Sequence, residues 1–311
     1  MTLPNASRLV LGTMTFGSQL DEAGSLRVVD AALDRGINFL DTANVYNNGI
    51  SEQITGKALK GRRDKIILAT KVRGKVGDAP EDIGLSARAI AKQIDASLQR
   101  LDTDYVDVYY MHMPDPATPI EESLEAISRL VDAGKVRHIA ASNYAAWQMA
   151  EIQHISPRPV KISQPMYNLL ARGIESEYLP MCARYGVDTY VYNPLAGGLL
   201  TGKQIDAQPL PGTRFDGNQM YLDRYWHPAQ FRAVEKLKQI AALAGRSMIS
   251  VSLGWLLHHT PITGIILGAS KLEQLEANLD ASKDGPLPAD TLQALNQVWA
   301  ELKGVTPQYN R

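Results

Sequence analysis

The sequence predicts an α/β protein of the (β/α)₈, or TIM-barrel, class with long loops at its C-terminal face. Eight short apolar runs rich in Val, Ile, Leu and Tyr punctuate the chain, and segments of helical periodicity separate them. Strand alternating with helix implies parallel strands joined by crossovers, and eight such units over ~250 residues match the size of a barrel. A further observation counts against the rival, a doubly wound open sheet. That fold carries a glycine-rich turn after its first strand, whereas here the first run leads into GTMTFG (12–17), which lacks the G-x-G-x-x-G spacing.

Taken in order, the strand-like runs are Leu9–Thr13, Ile37–Asp41, Ile66–Lys71, Val106–His112, His138–Ser142, Val160–Gln164, Asp188–Tyr192 and Ile262–Leu267. Within Arg88–Leu101 the residues Ile90, Ile94, Leu98 and Leu101 recur at helical spacing, and within Ile120–Ala133 so do Leu124, Ile127 and Leu130. Pro119, Glu121 and Glu122 mark the start of the second helix and Gly134 its end. Gly198–His227, rich in Gly, Pro and aromatics, and the tail Leu287–Arg311 exceed the eight-unit plan, and long loops on a compact barrel are usually functional. With no repeat, linker or low-complexity tract, the chain reads as one domain, 1–311.

Composition narrows the function. The 311 residues are 45% hydrophobic and carry 32 basic and 33 acidic side chains, a net charge of −1. No run of five or six like charges offers a surface to nucleic acid or an anionic membrane. Cys182 is the only cysteine, so an intrachain disulfide is excluded, and its setting in Pro-Met-Cys-Ala-Arg reads as a partly buried helix residue. The N-terminus lacks a basic region followed by a long apolar core, and no stretch approaches ~18 apolar residues. The expectation is a cytoplasmic protein that acts on small molecules and uses no metal.

In this fold the reactive groups sit at the carboxyl ends of the strands. Asp41, Lys71 and His112 end three consecutive runs, and Tyr46 follows five residues past Asp41. Neighbouring strands lie about 4.8 Å apart, so these side chains can converge. The set has a chemical logic. A phenol is a poor acid at neutral pH, and a nearby cation favours its phenolate. Lys71 would supply that cation, Asp41 would hold it, and His112 would hydrogen-bond a carbonyl oxygen. A hydride would then come from a bound nicotinamide. Spacing alone leaves a second mechanism open, in which Lys71 forms a Schiff base with a carbonyl, as in a barrel aldolase.

The motifs resemble those of the aldo-keto reductases: GTMTFG (12–17), INFLDTANVY (37–46), LATK (68–71), DYVDVYYMH (104–112), ASN (141–143), YNPLAGGLLTGK (192–203) and GASKLEQLEANL (268–279). The likeness runs through the whole chain in order. RF-x-GN (214–218), RYW (224–226), LGWLLHHTPI (253–262) and the final QYNR are similar to the aflatoxin-aldehyde reductase branch, which includes succinic semialdehyde reductases.

The resemblance implies Tyr46 as general acid, supported by Lys71 and Asp41, with His112 positioning the carbonyl. It implies NADPH as cofactor. Ser142, Asn143 and Gln164 would hold the nicotinamide carboxamide and Tyr192 would stack on the ring. Asn193, Leu195, Gly197 and Lys203 would follow the pyrophosphate. Arg214, with Ser270, Gln274 and Asn278, would meet the adenosine 2′-phosphate. Tyr221, Arg224 and Arg311, with His112, would line the substrate pocket, and the two arginines suit a carboxylate. It also implies a homodimer. Two features depart from the pattern: the loop from Arg214 to Tyr221 is short, and Gln274 stands where many members have arginine. A second class of protein shares the fold, the nucleotide-binding barrel subunits of potassium channels, in which turnover is slow.

Overall fold

The computed structural model describes residues 2–204 and 208–305. Two compact units are distinguished. The first comprises Met1–Pro165, Glu175–Tyr192 and Ile262–Glu276; the second comprises Met166–Ile174, Asn193–Pro261 and Ala277–Arg311.

The first unit holds eight strands: β1 (Leu9–Gly12), β2 (Phe39–Asp41), β3 (Ile67–Val72), β4 (Val106–Met111), β5 (Val136–Ser142), β6 (Ile162–Gln164), β7 (Asp188–Val191) and β8 (Gly264–Gly268). They form a closed parallel barrel in sequence order, with β8 returning to β1. This is the predicted fold, and the strand limits differ from the sequence reading by two residues or fewer, the usual scatter of element ends. Val10, Phe39, Val108, Ala140, Ile162 and Ile266 belong to one buried cluster, and Leu3, ahead of β1, joins it. Gly264 is required in β8: a Cβ there would lie 2.6 Å from the carbonyl oxygen of Arg8 and 2.8 Å from the ring of Tyr190. The space left by its missing side chain lets Tyr190 lie edge-on to Phe39, with ring centroids 5.3 Å apart.

The crossovers of this unit are α1 (Glu22–Asp34), α2 (Ile50–Leu59), α3 (Ala87–Leu101), α4 (Ile120–Asp132), α5 (Ala146–Ile155) and α6 (Tyr178–Tyr185). Sequence chemistry explains their ends. Asp21 caps α1 through the amide of Gly24, and Ser86 caps α3 through that of Ala89. The apolar stripe Ile90, Ile94, Leu98 and Leu101 of α3 is buried, as are Leu124, Ile127 and Leu130 of α4. Past α4 the chain turns at Gly134, where φ is +74°. Cys182 is buried on α6 as a free thiol.

The second unit contains α7 (Gln219–Tyr225), α8 (Pro228–Leu243), α9 (Met248–His259) and α11 (Ala289–Lys303); the residues of α10 (Leu272–Ala281) fall partly in each unit. The two segments that exceed the eight-unit plan therefore carry helices of their own. Aromatic packing organises this unit. Trp255 of α9 lies 5.1 Å from Tyr167, and Arg172 covers its face at 4.8 Å. Among the described residues no single helix is long and apolar enough to cross a membrane.

Candidate active site

The register of the barrel sets the heights of the reactive groups. Asp41 pairs with Ala69, so Lys71 stands two residues further along the neighbouring strand. The backbone N–H of His112 donates to the carbonyl of Val72 at 2.9 Å, extending the β3–β4 pairing by one step. All three expected strand-end residues thus reach the same rim. Asp41 is buried and Lys71 is fully buried.

Lys71 has three N–H donors, and three acceptors meet them. Its Nζ is ion-paired with Asp41 Oδ1 and donates to the carbonyl of Thr42 at 2.8 Å and to the Tyr46 hydroxyl at 3.4 Å. Burial alone would make the ammonium easier to deprotonate. The negative charge of Asp41, then Tyr46, outweigh it, and the Lys71 pKa is raised above its ordinary value. A Schiff-base nucleophile needs the neutral amine, so this arrangement speaks against the aldolase chemistry left open above.

His112 and Tyr46 meet edge to face, with centroids 5.9 Å apart. Burial, with help from the positive charges of Lys71 and Arg73, lowers the His112 pKa to about 3. The imidazole is neutral at physiological pH. Among the described residues its buried Nδ1 has no hydrogen-bond partner. A proton there would be an unsatisfied donor, so Nε2 is the nitrogen assigned to carry it.

Tyr46 opens a tight segment in which Asn47 and Asn48 both adopt positive φ, 49° and 55°, ahead of Gly49 at 87°. Asn tolerates this conformation. The Asn47 side-chain amide donates to the carbonyls of Met14 and Phe16, at 3.0 and 2.6 Å, tying the Tyr46 loop to the loop after β1. Neither Asn47 nor the Thr42 carbonyl was singled out from sequence. The Asn-Asn-Gly run was the available signal for Asn47; a backbone acceptor leaves none.

Ser142, Asn143, Gln164 and Tyr192 also assemble in the first unit. Ser142 pairs in register with Gln164 and donates its hydroxyl to the Gln164 carbonyl at 2.8 Å. Asn143, at φ 63°, donates to the carbonyl of His112 at 2.8 Å and accepts from the Tyr192 hydroxyl at 2.7 Å. Two amides and two hydroxyls near the ion pair form a donor and acceptor set that fits a carboxamide-bearing ring such as nicotinamide.

Past β8, Ser270 donates both its N–H and its hydroxyl to Oε1 of Gln274, at 2.9 and 3.0 Å, so Gln274 acts as a local cap at the start of α10. Lys271 beside it is exposed, and Asn278 is buried on α10.

In the second unit, Asn193 Oδ1 accepts from the backbone N–H of Gly197 at 3.0 Å. Leu195 is half-buried and Lys203 exposed. Gly197 has φ +68°, and a Cβ there would lie 2.8 Å from the Tyr221 ring. Arg214 and Arg224 both lie over that ring, at 5.4 and 5.6 Å. Arg214, expected at the cofactor phosphate, and Arg224, expected at the substrate, thus share one aromatic partner. Tyr225 is buried, with its hydroxyl accepting from Asn168 at 2.9 Å, and Trp226 packs on Phe215 and Phe231. Arg311 lies outside the described residues.

A closed parallel barrel with a buried lysine–aspartate pair, a tyrosine and a neutral histidine on its C-terminal rim defines a class of barrel enzymes that act on carbonyls. The chain belongs to the aldo/keto reductase family, whose model matches residues 8–300. It is 39% identical to aflatoxin B1 aldehyde reductase member 2 of Rattus norvegicus, covering 97% of this chain and 87% of the rat protein. It is also 39% identical to aldo-keto reductase family 7 member A3 of Homo sapiens, covering 97% and 96%. A probable voltage-gated potassium channel subunit beta of Oryza sativa subsp. japonica is 35% identical, covering 88% of this chain and 86% of the rice protein.

Proposed function

We propose that this chain, acting as one reductase domain over 1–311, reduces aldehydes to alcohols with NADPH, and that small carboxylated aldehydes such as succinic semialdehyde are among its substrates. The observation that carries the reading is the Lys71 ammonium, ion-paired with Asp41 and 3.4 Å from the Tyr46 hydroxyl. The nicotinamide, when bound, supplies the hydride. Tyr46 gives its proton to the carbonyl oxygen, which completes the alcohol. Lys71 stabilises the phenolate left behind, and Asp41 with the Thr42 carbonyl keeps Lys71 in place. Neutral His112 offers its Nε2 proton as a hydrogen bond to the same oxygen. General acid catalysis of this kind contributes typically 10²–10⁴-fold.

Ser142, Asn143 and Gln164 are proposed to hold the carboxamide, and Tyr192 to stack on the ring. Asn193, Leu195, Gly197 and Lys203 are assigned to the pyrophosphate, and Arg214, Ser270, Gln274 and Asn278 to the 2′-phosphate end. For Ser270 to donate to a phosphate, Gln274 must release it. Tyr221, Arg224 and Arg311 are assigned to the substrate. A cytoplasmic location, from the single cysteine, and a homodimer, from the resemblance, complete the reading.

The rice relative's name favours a second reading, a nucleotide-binding subunit with slow turnover. One experiment separates the two. Oxidation of NADPH is followed with succinic semialdehyde and with a neutral aromatic aldehyde, with NADH in parallel. Rapid NADPH-dependent turnover supports the reductase; tight NADPH binding with negligible turnover on both supports the regulatory subunit.

A further inference from the structure

One cation on the catalytic rim has no task in the reaction above. Arg73 directly follows β3, two residues past Lys71. Its φ is +123°, in the part of backbone space that favours glycine. Holding another residue there strains the backbone, and such strain clusters at functional sites. The side chain is half-buried, and among the described residues its buried Nε has no hydrogen-bond partner. An arginine carries five N–H donors, and buried donors are ordinarily matched.

Its neighbours place it beside the reacting groups. The His112 N–H bond to the Val72 carbonyl sets residue 73 next to His112. A Cβ on Gly74 would lie 2.7 Å from Val45 Cβ, so the same loop lies against the residue before Tyr46. The positive charge of Arg73 also contributes to the lowered pKa of His112, after burial and Lys71. Asp115 is the acid that senses Arg73, but its carboxylate accepts from the N–H of Leu85 at 2.8 Å, the Thr118 hydroxyl at 3.0 Å and the N–H of Ala117 at 3.3 Å.

We propose that Arg73 is a specificity residue that receives the oxyanion of a substrate, carboxylate or phosphate, whose carbonyl lies at Tyr46 and His112. The inference rests on the reductase reading and adds a residue that reading leaves out. A guanidinium fork matches either oxyanion bidentately. The unpartnered Nε beside His112 is the donor such an oxyanion would meet.

The test uses two variants of the full chain. Arg73→Met removes the charge and keeps the bulk; Arg73→Gly also relieves the backbone. Each is assayed with NADPH on succinic semialdehyde against butanal, and on glyceraldehyde 3-phosphate against glyceraldehyde. Both variants are expected to lose roughly 10- to 100-fold in kcat/KM on a charged aldehyde, the range of a charged hydrogen bond, with little change on its neutral counterpart. The affected pair identifies the oxyanion. Arg73→Gly is expected to melt no lower than the wild type. Equal losses on charged and neutral aldehydes overturn the proposal, because they mark a structural strut. Melting with succinate or inorganic phosphate gives a readout independent of turnover: the wild type gains stability and Arg73→Met does not. Wild-type failure on all four aldehydes would count against the reductase reading, and an equal melting shift in wild type and Arg73→Met would still count against Arg73.

Discussion

Gln164 donates a 2.8 Å hydrogen bond from Nε2 to Asp41 Oδ2. β6 and β2 are four strands apart in a closed barrel of eight, so this bond reaches across the barrel. The residue assigned to the carboxamide therefore also steadies the carboxylate that holds Lys71. Gln164→Leu is expected to weaken NADPH binding and to lower kcat together, read by fluorescence titration and steady-state kinetics. A fall in kcat with cofactor affinity unchanged would remove Gln164 from the cofactor site.

Tyr46→Phe is expected to lower kcat by about 10²–10⁴-fold, the usual contribution of a general acid, while NADPH affinity stays near that of the wild type. The ring and its packing on His112 survive; the hydroxyl is lost, with its proton and the hydrogen bond it accepts from Lys71. Single-turnover measurements with saturating cofactor check it, and rapid turnover would sink the assignment.

Lys71→Met leaves Asp41 buried without its ion-pair partner. Removing one partner of a buried pair costs about 3–5 kcal/mol, which denaturant unfolding measures. Adding Asp41→Asn should return part of the stability and none of the activity. A double variant no more stable than Lys71→Met would show that the pair is not the source of the loss.

His112 gives a pH dependence with a definite sign. Its pKa is about 3 in the fold, against 6.5 for the ordinary side chain. The unfolded chain therefore takes up a proton near pH 6.5 that the folded chain refuses. The associated stability is complete above that pH and is lost as pH falls toward 3. At pH 5 the loss is roughly 2 kcal/mol. His112→Gln should flatten the stability profile between pH 6.5 and 4; an unchanged slope there argues against a buried neutral imidazole.

Arg224→Ala is expected to raise KM for succinic semialdehyde more than for butanal, with kcat nearly constant, because uniform binding is lost. Equal effects on the two aldehydes would leave Arg224 as a partner of Tyr221 only.

The periodicity of the chain by itself determined the barrel and its rim. Apolar runs of strand length, separated by helices with Pro119 and Gly134 at their ends, leave few alternatives once parallel crossovers are required. Because strand ends share one rim, the sequence alone groups Asp41, Lys71 and His112. Tertiary structure decided what periodicity does not encode. The positive φ of Arg73, the bond from Gln164 to Asp41 and the placing of Arg214 over Tyr221 depend on contacts between residues far apart in the chain or on loop geometry. The neutrality of His112 is of the same kind. It follows from burial and from the charges of Lys71 and Arg73, which come near it only when β3 and β4 pair.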